Sequence, residues 1–217
     1  MTDDFFVYRG NTMKKNINLT IGIFISGVFL ILYNLSVFAY GCENIRDNTI
    51  RLHIIASSDS DADQNIKFIV RDKLLEKSAE IFNENITTEN AVQIITPKLE
   101  EIKIFTDNIL EENNIKYVSQ VKLETEYFDT RIYDNNIIMP AGKYLALKII
   151  LGDGQGKNWW CVMFPSLCIP VAEKSYENIY SENEIKIINS DKEYKIRFKI
   201  IEYIELFKNK VDISFKR

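Results

Sequence analysis

Between Ile17 and Phe38 the chain runs 22 residues without a charge, INLTIGIFISGVFLILYNLSVF. At about 1.5 Å of rise per residue, a helix of that length crosses a hydrocarbon core of ~30 Å. The competing reading, a core helix of a soluble domain, is weaker because such helices seldom need so long an uncharged run. Arg9, Lys14 and Lys15 precede the segment, and Glu43, Arg46 and Asp47 follow it closely. The basic excess on the N-terminal side predicts a cytoplasmic stub at residues 1–16, a transmembrane or signal helix at 17–40, and an exported remainder. Val37-Phe38-Ala39 fits the small-residue rule for signal cleavage after Ala39, but the apolar stretch exceeds the usual length of a cleaved signal, which puts retention ahead of cleavage. Phe38-Ala39-Tyr40-Gly41-Cys42 also loosely matches a lipoprotein box in which Cys42 would be acylated, although Tyr40 fits that box poorly.

From about Thr49 to Arg217 the chain is expected to form one folded domain, and the composition of the whole 217-residue sequence bounds its class. Apolar residues at 46% and aromatics at 12% supply a core and exclude a disordered chain. The 27 Lys and Arg are outnumbered by 31 Asp and Glu, and no basic cluster offers a footprint for nucleic acid. Ile50, Leu52, Ile54 and Ile55 predict a strand that ends at Ser57-Ser58-Asp59-Ser60-Asp61. There Ser60 or Asp59 can cap a helix carrying Ile66, Ile69, Val70, Leu74, Ile81 and Phe82 on one face. A second helical pattern spans Thr88 to Glu112, with Pro97 marking a kink or a division into two helices.

After Asn113-Asn114 the period changes to two, and Tyr117 to Tyr127 alternates as an edge or outer strand does. Arg131 to Met139 reads as a weaker strand broken by a turn at residues 134–136. Tyr144–Leu151 and Asn158–Phe164 are strongly apolar, and three glycines lie between them, which predicts a hairpin of two central strands. In the tail, Tyr194, Ile196 and Phe198 alternate before Ile200, Ile201, Ile204 and Phe207 take helical spacing, predicting a strand or hairpin that enters a terminal helix. This order gives an α+β domain with helices packed on a mostly antiparallel sheet.

Cys161 and Cys168 flank the turn-prone Phe164-Pro165-Ser166-Leu167, so a disulfide is favoured in an exported compartment, with two buried thiols as the alternative. One histidine and three scattered cysteines provide no zinc motif, and no cofactor signature is present. His53 is the only candidate for a histidine-assisted nucleophile, with Cys161 or Ser57 as partner. Its position opposite Leu52 and Ile54 is explained more simply as a partly exposed strand residue. Asp59, Asp61 and Asp63 imitate a calcium loop, but Gln64 stands where Gly is needed and Val70 where Glu is needed, so helix capping accounts for them. Gly152-Asp153-Gly154-Gln155-Gly156 leads into a strand rather than a helix, which makes it a connection and not a phosphate cradle. Trp159 and Trp160 must fall on opposite sheet faces, one toward the core and one open to a partner or to a second apolar layer.

Arg51-Leu52-His53-Ile54-Ile55-Ala56-Ser57-Ser58-Asp59-Ser60, with Asp63-Gln64 and Val70-Arg71-Asp72 behind it, resembles the N-terminal signature of the stage II sporulation protein R family. Met139 to Leu147, then Gly152 to Phe164, Pro165 and Cys168, resembles its central signature, and together the two span about Ile50 to Pro170. The resemblance implies a signalling protein, not an enzyme, made in the forespore and exported into the space facing the mother cell. There it would activate a membrane-embedded aspartic protease that removes the pro-sequence of sigma factor E. Candidate partner-binding residues are His53, Asp59, Arg71 and Asp72 near the strand end, and Gln155, Asn158, Trp159 and Trp160 around the glycine loop. The rival expectations are a secreted Cys/His hydrolase and a cell-wall-binding module.

Overall fold

The computed structural model describes residues 3–81, 88–133, 137–165, 179–189 and 195–215. Helix α1 runs from Asp3 to Asp47, and its segment Ile17–Asp47 is long and apolar enough to cross a membrane or to serve as a signal. The chain divides after Tyr40 into two compact units, the first ending there and the second running from Gly41 to Arg217.

The second unit is α+β. A four-stranded sheet has the order β2-β5-β1-β6, with β1 Ile50–Ile55, β2 Ser119–Phe128, β5 Gly142–Leu151 and β6 Asn158–Phe164. The pairs β2–β5 and β1–β6 are antiparallel, and β1–β5 is parallel. Arg131–Ile132 (β3) and Ile138–Met139 (β4) form a separate antiparallel pair, while the turn expected at residues 134–136 lies outside the described residues. Strand β2 is an edge, as its alternation predicted.

The expected hairpin of β5 and β6 is corrected: β1 lies between them, and β6 is an edge strand. Residues 152–157 connect the two, and six residues readily cover two strand spacings of about 4.8 Å each. Sequence shows that two strands are close in the chain, but not that an earlier strand has been inserted between them.

Helix α2, Asp61–Ile81, starts where Ser60 accepts the Asp63 backbone N–H at 3.2 Å, with Asp61 and Asp63 in the first turn. Ile66, Val70 and Leu74 are buried under the sheet. Ile69, expected beside them, is exposed because the helix turns that position to the edge of its apolar face. Phe82 lies outside the described residues. Pro97 divides the next helical region into α3 (Thr88–Ile95), a 3₁₀ turn (Thr96–Lys98) and α4 (Leu99–Glu112). These helices cover one sheet face and enclose Ile50, Leu52, Ile54, Leu147, Ile149 and Leu151. Each such side chain contributes about 1.5–3 kcal/mol by leaving water.

Helix α5, Glu182–Ile188, begins with a capping box in which Ser181 and Glu184 exchange bonds. Helix α6 runs from Lys195 to Phe215. The alternation of Ile196 and Phe198 is therefore overruled: both are helical, and burial of Phe198 with Ile201, three residues on, fixes the period. Tyr194 lies outside the described residues.

Candidate functional site

Alternation along β1 sends Leu52 and Ile54 into the helix-covered core and Arg51 and His53 to the opposite face. On that second face the strand order brings Lys148 of β5 beside His53 and sets Trp160 of β6 on its other side. Glu124 and Glu126 arrive from β2 through its pairing with β5. His53 Nδ1 lies 2.7 Å from Glu126 Oε2, and Nε2 lies 2.9 Å from Asn158 Oδ1. Lys148 donates to Glu126 Oε1 at 2.5 Å and to Glu124 Oε1 at 2.9 Å. The imidazole stacks on Trp160 with ring centroids 5.6 Å apart, and the Arg131 guanidinium sits 4.3 Å from the Trp160 ring centre.

Burial alone would raise the Glu126 carboxyl, but hydrogen bonds from His53 and Lys148 outweigh it and hold the group down at about 2. A locked carboxylate and an imidazole with both nitrogens engaged make a rigid polar platform, with Trp160, Arg131 and Asn158 at its rim. His53 was expected to be partly exposed, but it is only 8% exposed. Trp160, Phe128 and the charged pairs cover a position that alternation alone would leave open.

Deeper on the same face Arg51 is fully buried. Its Nη2 donates to the Tyr133 hydroxyl at 2.7 Å. The guanidinium carbon stands 4.6 Å, 5.0 Å and 5.6 Å from the ring centres of Phe128, Tyr144 and Tyr133. Nε and Nη1 have no hydrogen-bond partner among the described residues. Aromatic faces thus stand where a carboxylate would be expected. The sequence signal for this was available: a charge set between Ile50 and Leu52 in an apolar strand.

At the end of the sheet the two signature blocks close on each other. Gln155 N donates to Ser57 O at 3.0 Å and Gly156 N to Ala56 O at 2.9 Å, while Asp59 accepts the Lys157 N–H at 2.8 Å. Gly152 and Gly154 take φ of +54° and +63°, and a Cβ on Gly156 would overlap the Ser58 carbonyl. Asp63 accepts from Ser58 at 2.5 Å and from Tyr117 at 2.6 Å, bonds that hold its carboxyl below the ordinary value. The three aspartates therefore divide among a helix start, a loop clasp and a hydroxyl pair, and among the described residues no three His, Cys, Asp or Glu side chains gather as a metal site.

The eight candidate binding residues do not form one surface. His53, Asn158 and Trp160 share the polar sheet face, while Asp59 and Gln155 belong to the loop clasp. Arg71, Asp72 and Trp159 lie on the helix side, where Arg71 stands over Phe68 at 4.8 Å and Trp159 at 5.3 Å and donates to Asp72 at 2.6 Å. Trp159 packs against the core, so the two tryptophans do take opposite faces. The hydrolase arrangement fails on the same alternation: Cys161 pairs across from Leu52 and is buried away from His53. Among the described residues no hydroxyl or thiol is bonded to either imidazole nitrogen. Cys168, the expected disulfide partner of Cys161, lies outside the described residues. Glu126, Lys148 and Arg131 were missed: only the register across β2, β5 and β1 brings the first two to His53, and Arg131 reaches Trp160 from the separate β3–β4 pair.

The family model for stage II sporulation protein R matches residues 46–174, a stretch that holds the whole sheet, the loop clasp and the platform. The chain belongs to the stage II sporulation protein R family. Stage II sporulation protein R of Bacillus subtilis (strain 168) is 38% identical over 162 residues, covering 72% of this chain and 71% of the relative. No solved structure matches. Membership gives the protein a role in sporulation.

Proposed function

We propose that this member of the stage II sporulation protein R family acts as an exported signalling ligand. Released or anchored on the forespore side, it engages the outward-facing surface of a mother-cell membrane aspartic protease and so promotes processing of pro-sigma-E. It does no chemistry itself. The observation that carries this reading is the platform around His53, whose ionisable groups are spent on one another while Trp160, Arg131 and Asn158 remain at its rim. Tryptophan and arginine on a rigid base are the residue types that dominate binding energy at protein interfaces. Such a ligand activates by binding one arrangement of the protease more tightly than another. The Cys161–Cys168 disulfide belongs to the same proposal, as a clamp suited to an exported domain.

Co-expression with the protease and its pro-sigma substrate in a non-sporulating host tests it. Substrate maturation is expected to require this protein and to be lost with Trp160→Ala or Arg131→Glu while the purified variants keep their circular dichroism. Maturation that proceeds without the protein overturns the proposal.

A further inference from the structure

Helix α6 is apolar on two opposite sides. Phe198 and Ile201 are buried in the fold, and on the same side Glu205 meets Arg46 at 3.5 Å and Asp212 meets Lys143 at 2.5 Å. At about 100° per residue, Ile196, Ile200, Tyr203 and Phe207 fall on a stripe roughly 60° wide on the other side, with Ile204 at its margin. All five are exposed, Tyr203 by 71% and Phe207 by 70%. A contiguous apolar stripe of this kind on a folded surface marks something that covers it.

The charges of α6 indicate what that is. Arg197 and Lys208 run along one margin of the stripe, and Lys199 and Lys210 along the other. The acidic groups Glu202, Glu205 and Asp212 lie on the half of the helix turned away from it, paired with Lys199, with Arg46 and Lys208, and with Lys143. Apolar side chains bordered by basic ones on both sides suit the boundary between acyl chains and anionic headgroups, where lysine and arginine stems extend toward the phosphates. Ile17–Asp47 is long and apolar enough to cross a membrane, which keeps a bilayer within reach of a retained chain. A second copy fits less well, since two such stripes face to face would oppose basic margins. The helix also lies outside the residues matched by the family model.

We propose that α6 is an interfacial helix that lays its Ile196–Phe207 stripe on the surface of an anionic bilayer. The full chain carrying Phe207→Trp, reconstituted into vesicles of phosphatidylglycerol and phosphatidylcholine with brominated acyl chains, tests this. The unsubstituted chain supplies the emission of Trp159 and Trp160 for subtraction. The added tryptophan is expected to be blue-shifted and quenched roughly twofold or more by bromine. It should lose most of that quenching in pure phosphatidylcholine or with Lys199→Glu and Lys210→Glu. Tyr203→Trp provides the same readout from a second position. A tryptophan that emits as in water overturns the proposal and leaves the stripe to a protein partner. A blue shift without bromine quenching that grows with the protein-to-lipid ratio also overturns it, in favour of self-association.

Discussion

Strand β1 holds the two faces of the sheet in six residues. Toward the helices it buries Ile50, Leu52 and Ile54 in an apolar cluster, and toward the other side it buries Arg51 and His53 almost as completely. The first face gains stability by removing carbon from water and needs only volume and shape. The second face hides charge, so every position there depends on a named neighbour: His53 on Glu126 and Asn158, Lys148 on both glutamates, and Arg51 on three aromatic rings. Equal burial therefore conceals unequal tolerance. The core face should accept apolar exchanges of similar size, whereas the polar face should respond to loss of single partners.

Leu52→Ala should give the largest effect, about 2–5 kcal/mol from lost transfer energy and the cavity left behind. Denaturant unfolding of the full chain in detergent measures it. Arg51 provides the sharper test. Arg51→Ala should cost about 2–3 kcal/mol by emptying the aromatic cage, while Arg51→Met should stay within about 1 kcal/mol of the parent, since apolar residues of similar volume often replace buried charge without penalty. A loss with Met as large as that with Ala would mean that the charge itself holds the cage.

Glu126→Gln comes next, at about 1–2 kcal/mol near neutral pH once partial solvent screening is allowed for. The carboxyl is depressed in the folded state to about 2, so its contribution is fully present above its ordinary range and is lost as the pH falls toward 2. Parent and variant should therefore converge on acidification, and a gap that persisted at low pH would remove the ion pairs as its source. Trp160→Ala and Arg131→Ala at the rim should change stability least, by about 0.5–1 kcal/mol, and are expected to abolish substrate maturation. If signalling survives both, the platform is structural only, and Gln155 on the glycine loop becomes the place to look.

Much of the architecture was legible in local signals. Ser60 ahead of two aspartates marked the start of α2, Pro97 marked the division before α4, and the alternation from Tyr117 to Tyr127 marked an edge strand. Trp159 and Trp160 had to take opposite faces because adjacent strand residues always do. The site was less legible. His53 could be singled out as the only histidine, but Glu126 lies 73 residues away from it and Asn158 lies 105 away, and nothing local pairs such positions. The tail misled for a related reason: two alternating apolar residues, Ile196 and Phe198, are too few to establish a period, and packing decided it.

By itself the sequence determined most of the helices and strands ahead of the tail, which segment suits a bilayer, and which side of β1 and β2 is apolar, because capping, periodicity and uncharged length act between residues close along the chain. Only the tertiary structure decided that β1 enters between β5 and β6, that the glycine loop closes over Ala56 and Ser57, and that His53 is enclosed rather than displayed. Strand pairing joins backbone groups that are far apart in the chain and alike in every residue, so its choice rests on the packing of the whole domain.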